Sequence, residues 1–190
     1  MLSDGATLDA DVVVVGIGIT PNDELAREAG IACDNGIVVN ERCETSARGV
    51  FAAGDVAQHP NAILGERIRV EHWQNAQNQG VAAARAILGN TEPFREVPWF
   101  WSDQFDVNIQ MAGHPSRWDR IVYRGNRAER NFAAFYKDGA RIVAVVGFNR
   151  GKDVRGSRGL IESRADVPDA TLEDDATDLR ALATTFASPS

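Results

Sequence analysis

The stretch RGVFAAGDVAQHP, residues 48–60, decides the reading of this chain. Its apolar run, Val50 to Ala53, stops at Gly54, and a single carboxylate, Asp55, stands directly behind the glycine. Such a run predicts a strand buried inside an α/β sheet. Ligands of open α/β sheets bind outside the carboxyl ends of the strands. Asp55 therefore has two uses on spacing alone. It is either the turn or cap carboxylate that commonly follows glycine, or an acceptor for ligand hydroxyls. The turn is the commoner use.

Upstream, DADVVVVGIGITPNDELAREAG (residues 9–30) holds a second continuous apolar run, Val12 to Val15, bounded by acids and glycine. It predicts a central strand covered on both faces. Thr20 and Pro21 then mark a helix start, with threonine as cap and proline at the first helical position, and Gly30 marks its stop. Gly16 to Pro21 is not a dinucleotide fingerprint, because Pro21 occupies the place of the third glycine in G-x-G-x-x-G. Asn35-Gly36 predicts a turn before a short strand at Ile37–Val39.

Downstream, residues 70–88 turn helical in pattern, with Trp73, Ala76, Gly80, Ala83 and Ile87 forming one stripe that ends at Gly89-Asn90. The polar, proline-bearing segment 90–98 is expected to be a boundary. Beyond it the period falls to two. FWSDQFDVNIQMAG (100–113), DRIVYRG (119–125) and RNFAAFYKDGARIVAVVGFNR (130–150) predict antiparallel strands, with Asp138-Gly139 as a hairpin turn. KDVRGSRGLIES (152–163) reads as a helix weakened by Gly156 and Gly159. TLEDDATDLRALA (171–183) reads as a better one capped by Thr171, before a tail that frays. The fold class is thus α/β followed by α+β.

The 190 residues suffice for one ordinary domain or two small ones, and 44% apolar with 25% charged residues is ordinary globular composition. A net charge of −7 gives no reason to expect nucleic acid as a partner. Residues 114–158 run against that balance, with eleven Lys/Arg and four Asp/Glu. A basic middle in an acidic protein suits an acidic macromolecular partner. Cys33 and Cys43 have neither redox nor zinc spacing and read as two reduced cytosolic thiols. His59, His72 and His114 have no metal-ligand spacing, so no metal is expected. No signal peptide and no apolar run near membrane length is seen, so the expected location is the cytoplasm. No P-loop, nucleophile elbow or Ser/His/Asp order is present.

Two further stretches are candidate sites. In VEHWQNAQNQG (70–80), Glu71, His72 and Trp73 stand at a helix start, where free N–H groups and the dipole favour an anion or an electron-rich carbonyl. A capped helix with an aromatic staple explains them equally well. In WFWSDQ (99–104), Trp99 and Trp101 flank the boundary, where core filling is the safer assignment.

Together and in this order, VVVVGIGITPN, NGIVVN, TSARGVFAAGDVA, VEHWQNAQNQG and FWSDQF resemble the second half of the FAD-dependent, NAD(P)H-using ferredoxin reductases of bacterial oxygenase systems. These include the putidaredoxin, rubredoxin and biphenyl-dioxygenase reductases. The T-S-x-x-x-V-F-A-A-G-D motif marks the wider two-dinucleotide flavoprotein superfamily, and E-H-W with W-S-D-Q narrows it to this branch. The resemblance implies that Gly54 and Asp55 meet the ribityl chain of FAD, with the aspartate accepting its hydroxyls. The helix at Glu71, His72 and Trp73 would point its N–H groups at the flavin, Trp73 would line it, and Trp101 would close the site. The implied activity is hydride transfer from NAD(P)H to FAD, then single electrons to an iron–sulfur ferredoxin. Such ferredoxins are typically acidic, which gives segment 114–158 a docking role. Solvated strand-edge charges at Arg117, Arg120, Arg124 and Arg127 are the competing explanation.

The implied layout is the end of an NAD(P)-binding domain at 1–20, the returning part of a Rossmann-like FAD-binding domain at 21–93, a reductase C-terminal interface domain at 94–186, and a tail at 187–190. Neither G-x-G-x-x-G of the family is in the sequence. The expectation is therefore a fragment with little activity by itself, pairing with a missing N-terminal half or self-associating. The alternative is a non-catalytic dimerising or ferredoxin-binding module that holds no flavin.

Overall fold

Alternating side chains over residues 99–148 produce a five-stranded, wholly antiparallel sheet. A computed structural model describes residues 3–186; the expected tail, 187–190, lies outside them. The strands are β4 (Trp99–Gln104), β5 (Val107–Gly113), β6 (Arg120–Asn126), β7 (Asn131–Asp138) and β8 (Arg141–Phe148), in the order β4-β5-β8-β7-β6. Asp138-Gly139 does form a tight connection, with Gly139 at φ 59°. The β4–β5 turn instead places Phe105 at φ 55°, fully exposed at its tip.

A register shift at Tyr136/Lys137 skips Val143, so that Ile142 and Val145 face the same side. There they pack with Phe135 and Val122 against α3 (Gly151–Glu162), α4 (Asp169–Glu173) and α5 (Leu179–Phe186), through Val154, Leu160, Leu172 and Leu179. The two glycines of α3 serve this packing. A Cβ on Gly156 would lie 3.3 Å from Leu179 Cβ, and one on Gly159 would lie 2.9 Å from Ala183 Cβ. They let α5 approach α3 closely.

The expected single helix at 171–183 is two. Thr171 lies inside α4 and caps nothing; Asp178 accepts from the N–H groups of Arg180 and Ala181 at 2.9 and 3.1 Å and starts α5. Between them, residues 174–177 are held by Arg124, which is 3% exposed. Its guanidinium donates to the carbonyls of Asp174 and Thr177 at 2.7 Å each and Asp175 at 3.1 Å.

The N-terminal part has a smaller sheet, β1 (Ile37–Val38) parallel to β2 (Ala57–Asn61), which is antiparallel to β3 (Glu66–Arg69). Asn35 at φ 50° and Gly36 at φ 111° make the expected turn into β1. The first helix, α1 (Glu24–Glu28), starts at Asp23 rather than at Thr20. Asp23 is held by a two-pronged ion pair with Arg27, at 2.8 and 2.9 Å.

Two expected central strands do not form. Val12–Val15 are 71–91% exposed and carry no strand hydrogen bonds. Val50–Ala53 contributes only an isolated bridge between Glu44 and Phe51. A parallel strand exists only beside a neighbour that completes its hydrogen bonds; among the described residues Val12–Val15 have none, and Val50–Ala53 is bonded only along residues 43–47.

The long helix α2 (Trp73–Ile87) has the expected length, but its buried stripe is Asn75, Gln79 and Ala83. Of the expected stripe, Trp73, Gly80 and Ile87 are exposed. Ala83 of that stripe is buried as expected, whereas Trp73 and Ile87 face outward and Asn75 and Gln79 face the protein. The connection 90–98 has no helix or strand, yet it is bonded to β5, where the Gly113 N–H donates to the Pro98 carbonyl, and to the first part of the chain. Phe94 N–H donates to Glu41, Asn61 donates to the Glu96 carbonyl, and Asn78 on α2 donates to the Glu96 carboxylate.

Candidate functional site

Gly54 is buried at φ 82°, and a Cβ there would stand 3.3 Å from Ala76 Cβ on α2. The left-handed backbone and the close helix explain why a glycine ends the VFAA run. It turns the chain so that Asp55 emerges exposed beside the first turn of α2. Among the described residues, no hydrogen bond or ion pair uses the Asp55 carboxylate. Its backbone is held, however: Arg69 donates to the Asp55 carbonyl at 2.9 Å.

Glu71 is engaged with that arginine, at 2.9 Å, rather than aimed at open space. His72 is the N-cap of α2, its Nδ1 accepting the Gln74 N–H at 3.3 Å. Partial burial lowers the His72 pKa from the ordinary imidazole value, opposed by the negative charge of Asp55. Trp73 is 67% exposed at the helix start.

From the second sheet, β4 brings an aromatic cluster to the same place. The Trp101 ring lies 5.0 Å from His72, edge to face, and 5.0 Å from Trp99, stacked. Trp101 remains 39% exposed. Gly54, Asp55, His72, Trp73 and Trp101 thus converge where the carboxyl end of the VFAAG segment meets the N-terminus of α2, with Glu71 supporting from behind.

Sequence reasoning missed three residues here: Arg69, His59 and Gln79. Gln79 Oε1 accepts the Gly54 N–H at 2.8 Å, and its Nε2 lies 2.8 Å from His59 Nδ1. His59 is 2% exposed, and burial pulls its pKa down to about 4. A signal existed: Asn75 and Gln79 are four apart, a polar stripe on a helix whose other faces carry apolar residues. No group of three or more His, Cys, Asp or Glu able to hold a metal occurs among the described residues.

A second feature adjoins this corner. An open cleft of about 1290 Å³ runs between α3 and residues 175–180 and carries Arg95, Lys152, Arg155, Arg158 and Arg180 among seven Lys/Arg, against the five acids Glu96, Asp153, Glu162, Asp175 and Asp178, a small basic excess. Arg158 also borders a smaller depression lined by Gln74, Pro98 and Trp99. The basic cleft therefore reaches the aromatic cluster. Arg124 and Lys137 do not serve such a surface. Both are buried, Lys137 donating to the Val167 carbonyl and to Asp169 at 2.7 Å each. Arg120 is paired with Asp169, and Arg127 lies over the Tyr123 ring at 4.3 Å.

Family comparison covers most of the chain in two blocks. The family model described as "Pyridine nucleotide-disulphide oxidoreductase" matches residues 1–80, and that described as "Reductase C-terminal" matches residues 99–183. The chain is similar to the ferredoxin–NAD(+) reductase component of the anthranilate 1,2-dioxygenase system of Burkholderia cepacia. Identity is 46% over 168 residues, or 88% of this chain and 41% of that protein. It is similar to putidaredoxin reductase CamA of Pseudomonas putida, 37% identical over 182 residues, 96% of this chain and 43% of the relative. Among solved structures, the covalent putidaredoxin reductase–putidaredoxin complex superposes with a TM-score of 0.90 at 36% identity, covering 97% of this chain and 44% of that one. The chain spans less than half the length of the relatives it matches.

Proposed function

Because the chain belongs to the FAD-dependent pyridine nucleotide oxidoreductases, in the branch of the oxygenase-coupled ferredoxin reductases, we propose that it forms the flavin- and ferredoxin-facing part of an NAD(P)H:ferredoxin reductase. The observation that carries this reading is the exposed carboxylate of Asp55, unengaged among the described residues, beside the α2 N-cap His72 that Trp101 meets edge to face. An FAD fits these groups. Ionised Asp55 only accepts, and ribityl hydroxyls can donate to it. The positive end of α2 suits an electron-rich carbonyl edge. Trp73 and Trp101 offer exposed aromatic faces to a planar ring and exclude water from it.

FAD, when bound, supplies the conversion of a two-electron hydride donor into single electrons. The protein's own residues bind and orient it: Gly54 and Asp55 hold the chain of hydroxyls, His72 caps and fixes the helix, and Glu71 acts through Arg69. The NAD(P)H site belongs to the reductase as a whole.

For the partner, an acidic iron–sulfur ferredoxin, the favoured surface is the basic cleft of Lys152, Arg155 and Arg158 with Arg95 and Arg180. Its support is charge together with continuity, since Arg158 links it to the aromatic cluster. This narrows the expected 114–158 segment to its end. Arg155→Glu with Arg158→Glu would cut the on-rate for ferredoxin steeply at low salt and little at high salt. An unchanged salt dependence would remove the cleft from the mechanism. The proposed location is the cytoplasm, supported by two free thiols, Cys33 and Cys43, the latter buried and pushed up to about 11. No helix among the described residues is long and apolar enough to cross a membrane.

The test of the cofactor reading is a visible absorption spectrum of the purified chain with and without excess FAD, repeated on Asp55→Ala. A bound-flavin spectrum that the variant loses is the expected result. A second reading is a module that binds protein and no flavin. A colourless wild-type chain would select that reading.

A further inference from the structure

We propose that Gln79, oriented by His59, is the positioning residue that sets the Gly54–Asp55 turn, and so the direction in which the Asp55 carboxylate meets its ligand. The inference rests on the cofactor reading above for the ligand's identity, though not for the geometry.

Donor logic fixes the arrangement. A backbone N–H can only donate, so the Gln79 atom 2.8 Å from Gly54 N is the amide oxygen. The amide nitrogen then faces His59 Nδ1, also at 2.8 Å, and must donate to it. His59 is consequently neutral, with its proton on Nε2. Turning the amide over would set Nε2 against the Gly54 N–H, donor against donor. His59 thereby selects the one amide orientation that can hold Gly54.

The three groups are buried and come from separate elements: Gly54 before β2, His59 on β2 and Gln79 on α2. On the far side of the same two residues, Arg69 of β3 donates to the Asp55 carbonyl. The peptide unit between Gly54 and Asp55 is thus flanked by a held N–H and a held C=O, and the carboxylate is left outside this clamp. An Asn or Gln used only to fill a helix–strand contact has no need of an imidazole to choose its orientation. Neither residue touches the expected ligand, which is why the motif reading passes over both.

The decisive measurement is amide hydrogen exchange on the flavin-free chain, with ¹⁵N spectra of His59. In Gln79→Leu, Gly54 should exchange at least about tenfold faster, while the Ile37 amide, bonded to the Val56 carbonyl, keeps its rate. Gln79→Glu, as the carboxylate, keeps an acceptor for Gly54 but cannot donate to His59. It should restore Gly54 protection and move the His59 proton to Nδ1, a signature that loss of packing would not produce. Equal Gly54 exchange in wild type and Gln79→Leu, or an unmoved His59 tautomer in Gln79→Glu, would overturn the inference. FAD titration of the same proteins addresses the other reading. If the wild type binds FAD and Gln79→Leu binds it equally well, positioning is overturned. If the wild type takes up no FAD, the cofactor reading fails, while Gly54 exchange and the His59 tautomer still decide the clamp.

Discussion

Acidification should destabilise this protein through His59 before its carboxylates are substantially protonated. The imidazole is 2% exposed, and burial, aided by the charge of Arg67, lowers its pKa from 6.5 to about 4. The folded state therefore holds the neutral ring, whereas the unfolded chain takes a proton at an ordinary pKa. Stability from this group is complete above the unfolded value and drains away as pH falls from 6.5 to about 4, with no further loss below. Integrating proton uptake over that window gives about 2 kcal/mol lost by about pH 5 and about 3 kcal/mol in all. Protonation also turns Nδ1 into a donor facing the donor Nε2 of Gln79, so the hydrogen bond at 2.8 Å cannot survive it. Urea unfolding followed at NMR resonances of β2, in wild type and His59→Asn, isolates the effect. The asparagine oxygen can still accept from Gln79 but does not titrate. Between about pH 7.5 and about pH 5, wild type should lose about 2 kcal/mol more than the variant. Curves parallel to within about 0.5 kcal/mol would refute the reasoning, because such a difference is no larger than an ordinary surface substitution produces.

Three further outcomes follow from the second sheet. Arg124→Met should cost about 3 kcal/mol in urea unfolding, since it leaves the carbonyls of Asp174, Asp175 and Thr177 without their donor; a loss below about 1 kcal/mol would mean that the 174–177 turn holds itself. Asp169 is held at about 2 by hydrogen bonds from Arg120 and then Lys137. Its stabilisation is present above the unfolded value of 3.8 and fades as pH falls toward 2. Arg120→Gln should move the Asp169 carboxyl titration upward in a ¹³C NMR series, and an unmoved titration would contradict that assignment. Gly113→Ala should cost more than about 2 kcal/mol, because φ is 86° and the new methyl would collide with the Val143 carbonyl; a neutral thermal shift would show the strand end to be loose.

The C-terminal sheet was legible because each of its strands carries its own pattern: period two along β4 to β8 and a two-residue turn at Gly139. What could not be read there depends on contacts between distant residues. The shift at Tyr136/Lys137 reverses the facing of β8, and nothing in a local window marks it. Gly156 and Gly159 look like helix weakeners until α5 is laid against them. Arg124 looks like a docking charge until the chain returns fifty residues later to surround it. In the first part, the apolar runs Val12–Val15 and Val50–Ala53 state a preference that hydrogen-bonding neighbours must complete. For α2, the apolar stripe predicts the inward face; its Ala83 is buried, and Asn75 and Gln79 make up the rest of that face. Of the expected site, Gly54, Asp55, His72 and Trp73 lie together because their motifs mark where elements begin and end, and Trp101 reaches them from within β4. Of the residues that hold them, His59 and Gln79 lie inside β2 and α2, and Arg69 closes β3 with no turn or cap residue to mark it.

The connection at 90–98 bears on how the chain would be cut. Its composition is that of an interdomain cleavage site, polar and proline-bearing. Phe94 and Glu96, however, are tied to Glu41, Asn61 and Asn78, and Arg164 ties the far sheet to Ala62 and Ile63 at 2.9 Å. A protease needs several residues in extended form, and to obtain them here it must first break the bonds to Glu41, Asn61 and Asn78. Residues 3–19 present no such obstacle, being exposed throughout. Limited digestion should therefore trim the chain from its start and leave the two sheets joined as a single product.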